Sequence, residues 1–174
     1  MIITVGGQAA SGKSTLAKAL AKELGFGHVS VGAVMRDMAA ERGMSLVEFS
    51  RYAEGHPEVD REIDDRQRSL AKGDSVVDGR LSRHFLDPDL SVWLIAPAKV
   101  RAERAVGRGD RYSSVDDAAR DIDARDGSER ERYRKFYKID LADLSTYDLV
   151  INTGRFGISE MTAIAVDAAR SLIR

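Results

Sequence analysis

The chain of 174 residues contains no cysteine. This absence excludes a disulfide scaffold, catalysis by a thiolate, and zinc or iron–sulfur centres that cysteines ligate. The three histidines, His28, His56 and His84, are widely scattered and form no recognisable metal-binding spacing. The chemistry of this protein therefore depends on other side chains.

The chain also lacks an excess of charge of either sign and a long hydrophobic run. A formal net charge of -1 gives no bulk electrostatic reason to bind nucleic acid or a membrane surface. No apolar run is long enough to span a bilayer, and Met1 leads directly into a strand pattern rather than a signal peptide. With 43% hydrophobic residues the chain can build a core. We expect a cytoplasmic, monomeric protein with no nucleic-acid or membrane partner.

Five short β-rich apolar segments alternate with helical patterns along the chain. They predict strands at residues 2–5, 28–31, 75–78, 91–95 and 148–152. Strands that alternate with helices are typical of a parallel sheet with helices on both faces. The predicted fold is therefore α/β, with a five-stranded parallel sheet.

Two helical stretches interrupt the simple alternation. Residues 33–72 read as three helices, with Ser45 and Glu48 in a capping box and Pro57 at a helix start. Residues 109–138 are densely charged and read as a helix from Val115, interrupted near Gly127. We expect one domain with a helical insertion and a mobile cover, or lid, at these two places, on a core of residues 1–32, 73–108 and 139–174.

A phosphate-binding motif follows the first predicted strand. Residues Gly7, Gln8, Ala9, Ala10, Ser11, Gly12, Lys13 and Ser14 fit G-x-x-x-x-G-K-[ST] without deviation, and Thr15 follows. In such a loop the backbone N–H groups face inward around phosphate oxygens, the lysine reaches the β- and γ-phosphates, and the serine hydroxyl binds Mg²⁺. The chain is predicted to bind ATP or a related nucleoside triphosphate with Mg²⁺.

Three classes of protein use this loop: GTPase switches, ATPase motors and small-molecule kinases. The short chain argues against motors, and no Asn-Lys-x-Asp guanine-reading motif is present. A kinase of small molecules is favoured. Two alternatives stay open at this point: an adenylate kinase or another small-molecule phosphotransferase, and a kinase-like assembly ATPase that acts on a macromolecular partner.

Further motifs occur in the order that nucleoside monophosphate kinases have. They are the loop at residues 7–15, Val31-Gly32-Ala33-Val34-Met35-Arg36, Val77-Asp78-Gly79-Arg80 and the segment 103–108. Residues 125–132 and 147–153 most resemble cytidylate kinases, in particular the compact archaeal form. The resemblance covers nearly the whole chain. It implies transfer of the γ-phosphoryl group of ATP to CMP, and to dCMP, in a reaction that depends on Mg²⁺.

The resemblance also implies roles for arginines. Arg36 and Arg80 would hold the acceptor phosphate, and Arg80 follows a strand at its carboxyl end, where open α/β sheets place ligands. An ion pair on the surface explains Arg36 as well. Asp78 ends the same strand, and it either orients Mg²⁺ through water or hydrogen-bonds within the strand–loop corner.

Arg125 and Arg132 are seven residues apart, so they share one face of the predicted lid helix. By resemblance they close on the transferring phosphoryl group together with Lys13, and Glu129 could orient Arg125. A charged, solvated helix is the alternative. Arg104 and Arg108 resemble the pair that contacts adenine and phosphate in this family.

Recognition of the base is predicted from the insertion. Asp60 and Arg61, with Asp64 one turn on, lie where the base should bind, and a carboxylate beside a basic donor would match the edge of cytosine. A salt-bridged helix face explains the same pattern. In the longer bacterial enzymes an aspartate follows Asp-Gly-Arg and contacts the base, but this chain has Leu81 there.

Overall fold

The computed structural model describes residues 1–107 and 112–173, without the side chains of residues 46 and 47. In chain order, the elements of this part are β1 (Ile2–Gly7), α1 (Lys13–Leu24), β2 (Gly27–Ser30), α2 (Val31–Glu41), α3 (Leu46–Gly55), α4 (Pro57–Leu70), β3 (Ser75–Asp78), α5 (Ser82–Phe85), β4 (Leu90–Ile95), α6 (Ala98–Gly107), α7 (Val115–Tyr137), a 3₁₀ turn (Leu144–Thr146), β5 (Leu149–Asn152) and α8 (Ile158–Leu172).

All strands run parallel in one sheet of order β2-β3-β1-β4-β5. The predicted fold class is confirmed. Because β1 is central, the loop after it lies between the carboxyl ends of β3 and β4. Parallel strands bring their carboxyl ends to one edge, where a ligand crevice forms. The sheet therefore places the phosphate-binding loop next to Asp78 and Arg80.

The core is built on the two faces of this sheet. Successive strand residues point to opposite faces. On one face Ile3 and Val5 join fully buried Leu16 and Leu20 of α1, with α8 packed alongside. On the other face Val77 packs with residues that follow α4 and α5. Burial on both faces explains why the strands read as continuous apolar runs.

Helices α2, α3 and α4 lie between β2 and β3 and form a small apolar cluster of their own around Met38 and Phe49. Ser45 caps α3 through the predicted box, because its hydroxyl accepts from the Glu48 N–H and Glu48 accepts in return from the Ser45 N–H. Helix α2 begins at Val31, directly after β2, and not at residue 33 as expected.

The prediction that the helix is interrupted near Gly127 is wrong. Helix α7 runs unbroken for 23 residues. A glycine inside a helix costs only about 1 kcal/mol relative to alanine. Packing compensates, because buried Ala118 and Ile122 of α7 contact Ala102 and Ala105 of α6. Helix α7 thus lines the crevice as one continuous element.

None of the helices in residues 1–107 and 112–173 has both the length and the apolar character that a membrane span requires.

Candidate active site

The loop from Gly7 to Gly12 begins with a close approach to strand β4. Gly7 has a φ of 148°, and a Cβ there would lie 2.6 Å from the Leu94 carbonyl oxygen. Only glycine fits this close approach. The Gln8 N–H donates to that same carbonyl at 3.2 Å, and its side-chain Oε1 accepts from the Ala96 N–H at 3.1 Å. Strand β4 therefore anchors the start of the loop.

Lys13 begins α1 and folds back over the loop. Its Nζ donates to the Gln8 carbonyl oxygen at 2.8 Å. Burial, helped by the neighbouring Arg80 guanidinium, lowers the pKa of Lys13 to about 7. A phosphate placed beside this amine would restore its positive charge, because an anion favours the charged form. The lysine is therefore held, in a desolvated position, next to the place where phosphate would bind.

Arg80 lies behind the loop in a position set by Gly79, where a Cβ would clash with the Ser82 hydroxyl and with Val31. The Arg80 side chain is 11% exposed. Its guanidinium pairs with Asp126 Oδ1 at 2.9 Å and with the Glu129 carboxylate. Glu129 thus pairs with Arg80, across the cleft, and not with Arg125 of its own helix as expected.

A second buried arginine, Arg101 of α6, was absent from the sequence prediction. Its Nη1 pairs with Asp126 Oδ2 at 2.6 Å and lies 3.4 Å from the Ala9 carbonyl oxygen. The Ala9 N–H also lies 3.4 Å from Asp126 Oδ1. One lid carboxylate therefore contacts two guanidiniums and a loop amide. These are the kinds of donors that bind a phosphate.

These elements enclose a cavity of about 430 Å³. Its walls are the phosphate-binding loop, α2, α3, α4, the residues after β3, and α7. Lys13, Arg80, Arg125 and Arg132 all line it. Arg125 and Arg132 thus share a face of α7 towards the cavity, as their spacing predicts. Four further polar residues line it, namely Asp60, Asp64 and Gln67 of α4 and Ser82 of α5.

Two sequence-predicted residues lie elsewhere. Arg36 and Arg61 are exposed and do not line the cavity. Arg36 packs back towards Gly32, at the start of its own helix. Arg61 is next to Asp60, but consecutive helix residues point about 100° apart, so only Asp60 faces inward. Arg108 lies outside the described residues.

Arg104 connects α6 with the loop after β5. Its guanidinium donates to Thr153 Oγ1 at 2.7 Å and to the Thr153 carbonyl oxygen at 2.6 Å. The Thr153 hydroxyl in turn donates to the Ser11 carbonyl oxygen at 2.8 Å. Arg104 thus borders the phosphate-binding loop on the side opposite to Arg80.

Asp78 and Ser14 supply oxygen ligands of the kind that Mg²⁺ prefers. Asp78 is 4% exposed, and its two oxygens contact Ser30 Oγ at 2.9 Å and His28 Nε2 at 3.0 Å. Ser14 lies in the exposed first turn of α1. In residues 1–107 and 112–173 no three acidic or histidine side chains cluster as a metal cage. One carboxylate and one hydroxyl still fit Mg²⁺, which usually keeps several of its waters.

Sequence reasoning missed Arg101, Asp126, Gln67 and Ser82 as parts of the site. Arg101 had one available signal, since it lies one helical turn before Arg104 on the same predicted helix. Asp126 had none, because it is one of many charged residues in a helix that is charged on all sides.

Comparisons with known proteins show several similar chains. The model of the cytidylate kinase-like family matches residues 2–155. A cytidylate kinase of Pyrococcus horikoshii is 46% identical over 96% of this chain and 88% of its own length. One from Methanothrix thermoacetophila is 46% identical over 99% of both chains. Among solved structures, a shikimate kinase from Acinetobacter baumannii covers 98% of this chain and 93% of its own at 17% identity, with a TM-score of 0.61. That likeness concerns the fold alone.

Proposed function

The chain belongs to the cytidylate kinase-like family, and from this we propose that it transfers the γ-phosphoryl group of ATP to CMP, and to dCMP, giving ADP and the nucleoside diphosphate. The observation that carries the proposal is a cavity of about 430 Å³ that is lined both by Lys13 and Arg80 and by the acidic residues Asp60 and Asp64. The cations suit phosphates, and the hydrogen-bonding groups suit a base.

Lys13 and the loop amides from Ala9 onward hold the β- and γ-phosphates of ATP. Arg104 and the Thr153 backbone support the loop from the side on which the adenine would lie. The Ser14 hydroxyl and the Asp78 carboxylate would hold Mg²⁺. When bound, the ion neutralises charge between the β- and γ-oxygens.

Arg80 binds the phosphate of the acceptor after releasing Asp126 and Glu129. An acceptor oxygen attacks the γ-phosphorus, and the bond from that phosphorus to the β,γ-bridging oxygen breaks as ADP leaves. A phosphate monoester has a second pKa of about 6, so the acceptor is largely dianionic at pH 7 and needs no general base. Arg125 and Arg132 neutralise the charge that develops on the transferring group.

A coupled assay of ADP formation tests this proposal. CMP, dCMP, UMP and AMP are each supplied at equal concentration with ATP and Mg²⁺. We expect CMP and dCMP to give the highest kcat/KM. A higher kcat/KM for AMP would assign the chain to adenylate kinase chemistry, and ADP formation that no acceptor stimulates would assign it to the ATPases.

A further inference from the structure

One wall of the cavity is a face of α4. Asp60, Ile63, Asp64 and Gln67 follow the i, i+3, i+4, i+7 spacing of a helix face, and all four line the cavity. Their exposed fractions are 7%, 6%, 8% and 1%. Buried carboxylates are costly unless they gain partners. Two of them, side by side on a wall that also contains apolar Met35 and Leu81, therefore indicate a ligand with complementary hydrogen-bonding groups.

Asp60 has a buried acceptor, because its Oδ2 has no partner within hydrogen-bond distance among the described residues. The Tyr137 hydroxyl of α7 lies near enough to interact with the Asp60 carboxylate. Arg132, which lines the same cavity from α7, is near enough for its charge to act on Asp60 but makes no hydrogen bond to that oxygen. An unsatisfied buried acceptor costs free energy, which a ligand N–H would recover.

Asp64 is held by a chain of hydrogen bonds. Its Oδ1 accepts from Gln67 Nε2 at 2.8 Å, and Gln67 Oε1 accepts from Ser82 Oγ at 2.9 Å. Gln67 and Ser82 are each 1% exposed. Because Ser82 follows Arg80 by two residues, these hydrogen bonds connect the α4 wall to the segment that would hold the acceptor phosphate. Gln67 fixes one oxygen of Asp64 as an acceptor, which leaves the other oxygen to meet the ligand.

We propose that Asp60 and Asp64 together read the base of the acceptor nucleotide, with the Asp60 carboxylate accepting from the cytosine N4 amino group and a neutral Asp64 carboxyl group donating to N3. This inference rests on the proposed function. Uracil presents the opposite pattern, an O4 acceptor and an N3–H donor. Its O4 would face the Asp60 carboxylate, which is also an acceptor, and its N3–H would face the Asp64 carboxyl group, which is also a donor. Mismatched polar groups in a buried site discriminate strongly.

The surroundings of Asp64 favour its neutral form. Burial, with the Asp60 and Asp65 carboxylates, raises the pKa of Asp64 to about 7, against the opposing effects of Gln67 and Arg68. The groups on other elements that bear on this pair or line the cavity beside it are Glu54 of α3, Arg132 and Tyr137 of α7, uncharged Met35 of α2 and Ser82 of α5. Below pH 7 Asp64 is therefore a donor, and above pH 7 it becomes an acceptor that no longer matches N3.

The first test is selectivity between CMP and UMP, measured as the ratio of kcat/KM values with ATP at pH 7. Asp60→Asn replaces the acceptor by a group that can also donate to O4 of uracil. We expect kcat/KM for CMP to fall by about 10- to 100-fold and the CMP-to-UMP ratio to fall by at least about tenfold. Glu58→Gln, on the exposed face of the same helix and without an effect on the pKa of Asp64, is the matched control and should keep the wild-type ratio.

The second test uses Asp64→Asn, because asparagine has the shape and the donor of a protonated aspartate. Between pH 6 and 8.5 the wild-type CMP-to-UMP ratio should fall as Asp64 loses its proton, whereas the ratio of the variant should stay flat. Lys13 titrates in the same range. Because Lys13 would contact phosphates and not the base, its titration changes kcat/KM equally for CMP and UMP and leaves their ratio unchanged. At pH 8.5 the variant should be more selective for CMP than the wild type.

Two results would overturn the proposal that Asp60 and Asp64 read the base. One is an Asp60→Asn variant that still binds ATP and has an unchanged CMP-to-UMP ratio, and the other is an Asp64→Asn variant with the wild-type pH profile. Should Asp60→Asn fail to fold, the pH profile of Asp64→Asn decides alone. Failure of the proposed function looks different, since the wild-type protein would then form no CDP from CMP at any pH.

Discussion

Asp126 of the lid helix lies 2.9 Å from Arg80, the residue that follows the third strand by two positions. The same carboxylate lies 2.6 Å from Arg101 and 3.4 Å from the Ala9 N–H. A carboxylate thus occupies donors of the kind that bind phosphate. Under the proposed function, we expect ligand binding to exchange one anion for another.

Replacing the Asp126 carboxylate should therefore lower the stability of the ligand-free protein and strengthen the binding of ATP. In Asp126→Asn, Arg80 and Arg101 lose a buried ion partner, and we expect the free energy of unfolding of the ligand-free protein to fall by about 3 kcal/mol. Since the competing anion is gone, ATP should raise the melting temperature more in the variant than in the wild type. Thermal unfolding with and without ATP measures both effects. A variant that loses stability and also gains less from ATP would show that Asp126 supports the bound state instead.

Arg80→Ala should affect the acceptor far more than the donor nucleotide. Arg80 is the cavity cation next to the segment that leads to Ser82 and the acidic wall, so its loss should raise the KM for CMP by at least about tenfold, as expected for a hydrogen bond to a charged group. The Kd for ATP, measured by calorimetry, should change by less than about threefold. Equal loss of affinity for both nucleotides would indicate that Arg80 acts through the fold.

The low pKa of Lys13 predicts uptake of a proton when ATP binds. Burial lowers this pKa to about 7 in the ligand-free protein, and the phosphates should raise it again. At pH 8 most of the free lysine is neutral, so binding should take up close to one proton. Calorimetry at pH 8 in two buffers of different ionisation enthalpy gives this number. The Lys13→Met variant should bind ATP weakly and without that proton, whereas equal uptake in both proteins would assign it to another group.

The lid arginines should contribute to the rate more than to binding. Arg125 and Arg132 line the cavity from α7, and a guanidinium that stabilises phosphoryl transfer contributes on the order of 10³-fold to kcat. We expect Arg125→Ala and Arg132→Ala each to lower kcat by about 10²- to 10³-fold, with small changes in KM. Arg120→Ala provides the control, because Arg120 is 75% exposed on the same helix. A fall in kcat as large in the control would show that the helix acts only through its overall charge.

The fold could be predicted from the sequence because each strand is a short apolar run that ends near glycine or proline, and because strands alternate with helices. The phosphate-binding loop could be predicted because its residues are contiguous. Contacts between distant segments could not. Nothing in the sequence distinguishes Asp126 from Asp123, since only the packing of α7 on α6 decides which carboxylate reaches Arg80 and Arg101. The sequence predicts Arg61 in the base site because it is next to Asp60 in the chain, but adjacent helix residues point in different directions.

The fate of the γ-phosphoryl group of ATP is the most direct measurement of what this protein does. ATP labelled with ³²P at the γ-position is incubated with the protein, Mg²⁺ and CMP, and the products are separated. We expect the label in CDP, one equivalent for each ADP formed, and almost no label in inorganic phosphate. Label that accumulates in inorganic phosphate at a rate independent of CMP would contradict phosphoryl transfer between two nucleotides in this cavity.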